Sequence, residues 1–103
     1  MFSFQKSQKK QRKVSVLIGS SIVIESTIIG ELSKLFWYKR CENKCIQVSS
    51  FSKHQNGTPE IPSLTILKAD VSDAGLYFCE AENSSGIGRS EDCMVDIQGG
   101  KMR

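Results

Sequence analysis

The stretch Asp73-Ala74-Gly75-Leu76-Tyr77-Phe78-Cys79 decides how the rest of the chain is read. Gly75 lets the backbone turn sharply, and Asp73 suits the cap of a short turn just before it. Residues 76–82 then read as a strand of high β-propensity. Downstream, Asn83-Ser84-Ser85-Gly86 is a turn, and residues 93–97 form a closing strand. Upstream, residues 68–74 are a corner and Leu64-Thr65-Ile66 is a strand with a buried face. His54-Gln55-Asn56-Gly57-Thr58-Pro59 is a cluster of turn residues. Residues 46–51 are a weaker strand, and Phe36-Trp37-Tyr38-Lys39 is a strong one. Val14, Val16 and Ile18, then Ile22, Ile24 and Ser26, repeat with a period of two. No segment carries a helical period. Short strands separated by turn signals predict an all-β sandwich or barrel.

The 103 residues fit one domain, with 39% hydrophobic and 24% charged content. No apolar run approaches the roughly 18–20 residues that span a bilayer. The net charge of +3 is local. Lys6, Lys9, Lys10, Arg12 and Lys13 crowd the start, and Lys101 and Arg103 the end. No aromatic or glycine interleaving accompanies these charges, so they read as a solvated tail and not as a nucleic-acid site. Residues 1–13 are expected to be a basic, disordered tail, 14–98 the domain, and 99–103 a linker. Phe2 and Phe4 are not followed by the apolar core of a signal peptide. Three explanations stay open: a piece of a longer protein, an intracellular chain, or a missing natural start.

The motif Asp-x-Gly-x-Tyr-x-Cys at residues 73–79 resembles the start of strand F in immunoglobulin domains. Ala81, Asn83 and Gly86 resemble the Ala-x-Asn-x-x-Gly of the intermediate set, where Asn and Gly shape the F–G hairpin. Trp37 matches the strand C tryptophan, and Leu64-Thr65-Ile66 matches strand E. The resemblance covers about residues 14–98 and is nearest to ectodomains of adhesion and receptor proteins, notably of invertebrates. It implies a Greek-key sandwich of two antiparallel sheets with Trp37, Leu64, Ile66, Tyr77 and Cys79 in the core. It also implies a tyrosine corner of Asp73, Gly75 and Tyr77.

One departure from the family pattern stands out. Strand B should carry a cysteine opposite Cys79, and the alternation puts Ser26 there. The sequence has no cysteine before Cys41. Losing such a bridge costs roughly 2–5 kcal/mol. The four cysteines permit three full pairings. Cys41 and Cys45 flank a three-residue loop, so a local bridge between them is expected. Cys79 and Cys93 are expected to be free and inward. Strand F separates Cys93 from Cys41 by two strand spacings, roughly 9.6 Å, which is too far for a bond. A zinc site on Cys41, Cys45 and His54 lacks a second ligand pair.

The function expected is non-catalytic recognition. His54 has neither an orienting carboxylate nor a nucleophile, and reads as a solvated loop residue. Gly86-Ile87-Gly88 is a hairpin and not a phosphate loop. Neither cofactor nor metal is expected. If Trp37 and Cys79 point inward, then Phe36, Tyr38, Phe78 and Met94 share the outer face of one sheet, rimmed by Arg40 and Glu80. Such a cluster has the composition of a protein interface, with a copy of the same chain as one partner to test. The competing reading is cross-strand aromatic pairing in an ordinary sheet. Asn83-Ser84-Ser85 and Asn56-Gly57-Thr58 fit the N-glycosylation pattern, the second weakened by Pro59. These sequons favour an extracellular or cell-surface domain. A spacer domain of an intracellular titin-like filament is the alternative.

Overall fold

The computed structural model describes residues 3–4, 12–26, 28–29, 32–41, 44–48 and 54–99. Within them the strands are β1 (Ser3–Phe4), β2 (Arg12–Leu17), β3 (Ile22–Ile24), β4 (Ile28–Ile29), β5 (Lys34–Cys41) and β6 (Lys44–Gln47). Then follow β7 (His54–Asn56), β8 (Leu64–Ile66), β9 (Gly75–Asn83), β10 (Gly86–Arg89) and β11 (Cys93–Gln98). A single 3-10 turn, Val71–Asp73, lies between β8 and β9.

The larger sheet runs β2-β11-β9-β5-β6, with β10 also paired to β9. The smaller sheet runs β3-β8-β7, and β1 pairs with β4. The β2–β11 pairing is parallel, and the other pairings are antiparallel. This is the sandwich that the spacing of turns and alternating residues predicts. The parity in β5 and β9 puts Trp37 opposite Cys79 and Leu35 opposite Ala81, all inward. Ile22, Ile24, Leu64 and Ile66 of the smaller sheet close on them, with Tyr77, Cys93 and Val95 completing the core. The Trp37 indole donates to Pro62 O at 2.9 Å, so its one polar atom is satisfied within the apolar layer.

Gly57 has its own packing reason. Its φ is +70°, and a Cβ there would sit 2.8 Å from Trp37 Cδ1. Only a bare backbone lets the β7–β8 turn lie against the indole edge. At the other end of the core the Tyr77 hydroxyl donates to Asp73 O at 2.7 Å. The residue that starts the 3-10 turn is Asp70, not Asp73 as expected. Asp73 closes the turn, and its Oδ2 accepts the Asp70 N–H at 2.9 Å. Gly75 enters β9 with φ +145°, where a Cβ would press on Lys39 Cε at 2.9 Å.

The expected tail over residues 1–13 contains two strand segments, β1 and the start of β2. Residues 12–17 run beside the parallel edge that β11 offers, and Arg12 Nη1 donates to Glu25 O at 2.6 Å. Two of the five clustered basic residues therefore belong to the sheet. Lys6, Lys9 and Lys10 lie outside the described residues, as do residues 49–51 of the expected weak strand and 100–103 of the expected linker.

Candidate functional site

Parity decides which side chains leave the larger sheet on the side away from the core. They are Phe36, Tyr38 and Arg40 of β5, Phe78 and Glu80 of β9, and Ile87 and Arg89 of β10. Met94 of β11 joins them across from Leu76. The four residues expected to form an exposed aromatic face thus share that side, but they do not share the same exposure. Phe36 is 38% exposed, Tyr38 and Met94 are half-buried, and Phe78 is only 1% exposed.

Phe78 is covered by its neighbours on the outer face. Tyr38 lies directly across the strand pair and stacks on it, with ring centroids 5.3 Å apart and planes at 22°. The guanidinium carbons of Arg40 and Arg89 lie 4.6 and 4.8 Å from the Phe78 centroid. A guanidinium is planar and weakly hydrated, so it covers a ring while its N–H groups point sideways to carboxylates. Arg40 Nε donates to both Asp92 oxygens at 3.1 and 3.2 Å. Arg89 donates to Glu80 Oε2 from Nη2 at 2.9 Å and from Nε at 3.2 Å. The Glu80 hydrogen bond holds the Arg89 charge more firmly than usual. The cluster thus has a covered part and an open part. The Tyr38–Phe78 pair is cross-strand stabilisation, while Phe36 and the 68%-exposed Ile87 remain open to solvent.

Arg89, Asp92 and Ile87 were not anticipated on this face. The signal was the hairpin register, since Glu80 pairs with Arg89 and Glu82 with Ile87. It can be counted outward from the Asn83-Ser84-Ser85-Gly86 turn.

At the centre of the sandwich, Ser26 Oγ lies 3.6 Å from Cys79 Sγ. Ser26 is half-buried, and its N–H donates to Ser63 Oγ at 3.1 Å. Trp37, Leu64, Ile66, Tyr77 and Cys79 are all buried. Cys79 and Cys93 are free thiols. Burial pushes the Cys79 thiol up, and hydrogen bonds to Ser90 and Ser26 offset this only partly. Burial raises Cys93 as well.

The expected Cys41–Cys45 bridge is not present: Cys45 is a free, exposed thiol. The register explains this. Cys41 pairs with Lys44 and Arg40 with Cys45, so Cys45 is one position out of phase with Cys41 and shares the face of Arg40. Arg40 Nη1 lies 4.0 Å from Cys45 Sγ. His54 sits half-buried in β7 opposite Ile66, and not in a solvated loop. Among the described residues no cluster of His, Cys, Asp or Glu is fit to hold a metal ion. No helix among them is long and apolar enough to cross a membrane. Of the sequon residues, Asn56 is exposed at the end of β7 and Asn83 half-buried at the end of β9.

Residues 5–96 match the immunoglobulin I-set domain family, and the chain belongs to it. The family is generally non-catalytic. The mouse (Mus musculus) WAP, Kazal, immunoglobulin, Kunitz and NTR domain-containing protein 2 is 28% identical over 93 residues. That match takes in 86% of this chain and spans 16% of the relative. Among solved structures, the N-terminal eight immunoglobulin domains of Down Syndrome Cell Adhesion Molecule match 85% of this chain and 11% of their own, at 21% identity and TM-score 0.72. Titin M4 matches 94% of this chain and 95% of its own, at 18% identity and TM-score 0.73. These two structural likenesses speak for the fold.

Proposed function

We propose that this domain is a non-catalytic protein-recognition module of a larger extracellular or cell-surface protein, and that it docks a second copy of itself. The observation that carries this reading is the outer face of the larger sheet. Arg40 and Arg89 bury Phe78 and are fixed by Asp92 and Glu80, which leaves Phe36 and Ile87 exposed beside a strip of ordered, paired charge. Lys34 faces Glu82 in the next row. Both signs of charge lie around two apolar residues, so a second copy would offer this face charges of either sign to pair with. Ordering these side chains before contact lowers the entropic cost of docking. Resemblance to a cell adhesion molecule supports the setting.

Sedimentation of the full chain over a range of concentrations tests this. A monomer–dimer equilibrium is expected, and Phe36→Ser with Ile87→Ser should weaken it at least tenfold while the circular dichroism stays the same. A wild-type chain that remains monomeric, or an equilibrium untouched by both substitutions, removes the self-docking reading.

A second reading, a spacer in an intracellular titin-like filament, draws on the free Cys79 thiol against Ser26 and on the likeness to titin M4. All four cysteines found reduced in protein taken from its native source, with no glycan, would favour it over the cell-surface reading.

A further inference from the structure

We infer that Asn83 is the N-linked glycan acceptor of this domain and that Asn56, despite an equally good three-residue pattern, is not. The inference concerns modification chemistry and rests only on the extracellular part of the reading above, not on the docking face.

The two sequons are built into different backbones. Asn83, Ser84 and Ser85 occupy the β9–β10 hairpin, where Asn83 pairs with Gly86. The Ser85 N–H donates to Asn83 Oδ1 at 2.7 Å. This Asx turn holds the carboxamide and the Ser85 residue on one tight loop. Ser84, Ser85 and Gly86 are all exposed, and no atom lies within 4 Å of the place where a Gly86 Cβ would be. Asn83 itself is half-buried, but the loop tip beside it is open to solvent.

The Asn56 side chain is exposed, but its sequon is held in a fixed backbone. Asn56 and Gly57 both have left-handed backbones, φ +64° and +70°. Gly57 packs against the Trp37 ring, where an added Cβ would lie 2.8 Å from Cδ1. Thr58, whose hydroxyl completes the sequon, is engaged with Ile61. Its Oγ1 accepts the Ile61 N–H at 3.2 Å, and its own N–H donates to Ile61 O at 3.0 Å. Pro59 then prevents the segment from being read as a flexible acceptor.

The reaction balances with one co-reactant, a lipid diphosphate-linked oligosaccharide. Asn83 Nδ2 bonds to the sugar C1 and the C1–O bond to the diphosphate breaks. The lipid diphosphate leaves with the electron pair, and the carboxamide gives up one proton. The register also says where the sugar goes. The Asn83–Gly86 pair has the phase of the inward Ala81–Gly88 pair, while Glu82–Ile87 and Glu80–Arg89 have the opposite phase. A glycan on Asn83 therefore projects away from Phe36, Ile87 and Arg89.

The test is secretion of the complete 103-residue chain from eukaryotic cells behind a supplied leader peptide, followed by enzymatic release of N-glycans and peptide mass mapping. The expected result is a glycan on the peptide containing Asn83, lost in Asn83→Gln and retained in Asn56→Gln. Secreted chain with an unmodified Asn83 overturns the inference, and so does a glycan found mainly on Asn56. Because the leader is supplied, either outcome counts against the acceptor assignment and leaves the question of native location untouched.

Discussion

Ser26 and Cys79 pose the sharpest question about a single residue. Their side-chain heteroatoms are 3.6 Å apart across the sandwich, on positions separated by 53 residues of chain. Ser26→Cys should therefore form an inter-sheet disulfide on oxidation. Closing a loop of that length should stabilise the domain by about 3–4 kcal/mol, seen as a higher denaturation midpoint that falls when reductant is added. No change in midpoint between oxidised and reduced variant would mean that the two backbones are too far apart. Gly57 makes the opposite prediction. Gly57→Ala places a Cβ 2.8 Å from Trp37 Cδ1 on a φ of +70°. The loss should be about 1–3 kcal/mol in denaturant unfolding, with a change in tryptophan fluorescence because the indole must shift.

At the scale of elements, the β9–β10 hairpin and β5 build the outer face together. β9 contributes Phe78 and Glu80, β10 contributes Arg89, and β5 contributes Tyr38 and Arg40. The exposed ion pairs alone would add little, because water screens them. Their main effect is to hold two guanidiniums against an aromatic ring that would otherwise face solvent. Arg40→Ala and Arg89→Ala should each lower stability measurably. The two losses should not add, since both residues cover the same ring. A double-mutant cycle by chemical denaturation checks this. Simple additivity with losses near zero would reduce the arrangement to surface ion pairs.

For the whole molecule, stability comes from an apolar core that includes two buried thiols. Burial moves both Cys79 and Cys93 above the ordinary cysteine value of 9.0. Folded chain then holds protons that unfolded chain releases, so this contribution is fully present below pH 9 and is lost as pH rises towards the folded values. The unfolding free energy should fall above about pH 9. Cys79→Ala should show a shallower fall than wild type when unfolding is followed by fluorescence from pH 7 to 10.5, a range chosen about the ordinary thiol value. Parallel pH profiles for the two proteins would mean that Cys79 does not couple to folding.

The sequence by itself determined the class of fold and its central contacts. Residues 73–79, the alternation around Trp37 and the turn at Asn83 to Gly86 each follow local rules, and local rules survive folding. The place of Ser26 opposite Cys79 came from the same counting. What only tertiary structure decided was exposure and register. Alternation assigns a side chain to a face, but Phe78 is covered by arginines that arrive from β5 and β10. No local pattern measures that. The Cys41–Cys45 expectation failed by one position of register, because a period of two sends every one-residue slip to the other face. Arg12 and Lys13 looked like a charged tail until the parallel edge of β11 gave them a strand to join. In each case the deciding partner lies far away in sequence, so its effect is set by packing and not by the segment itself.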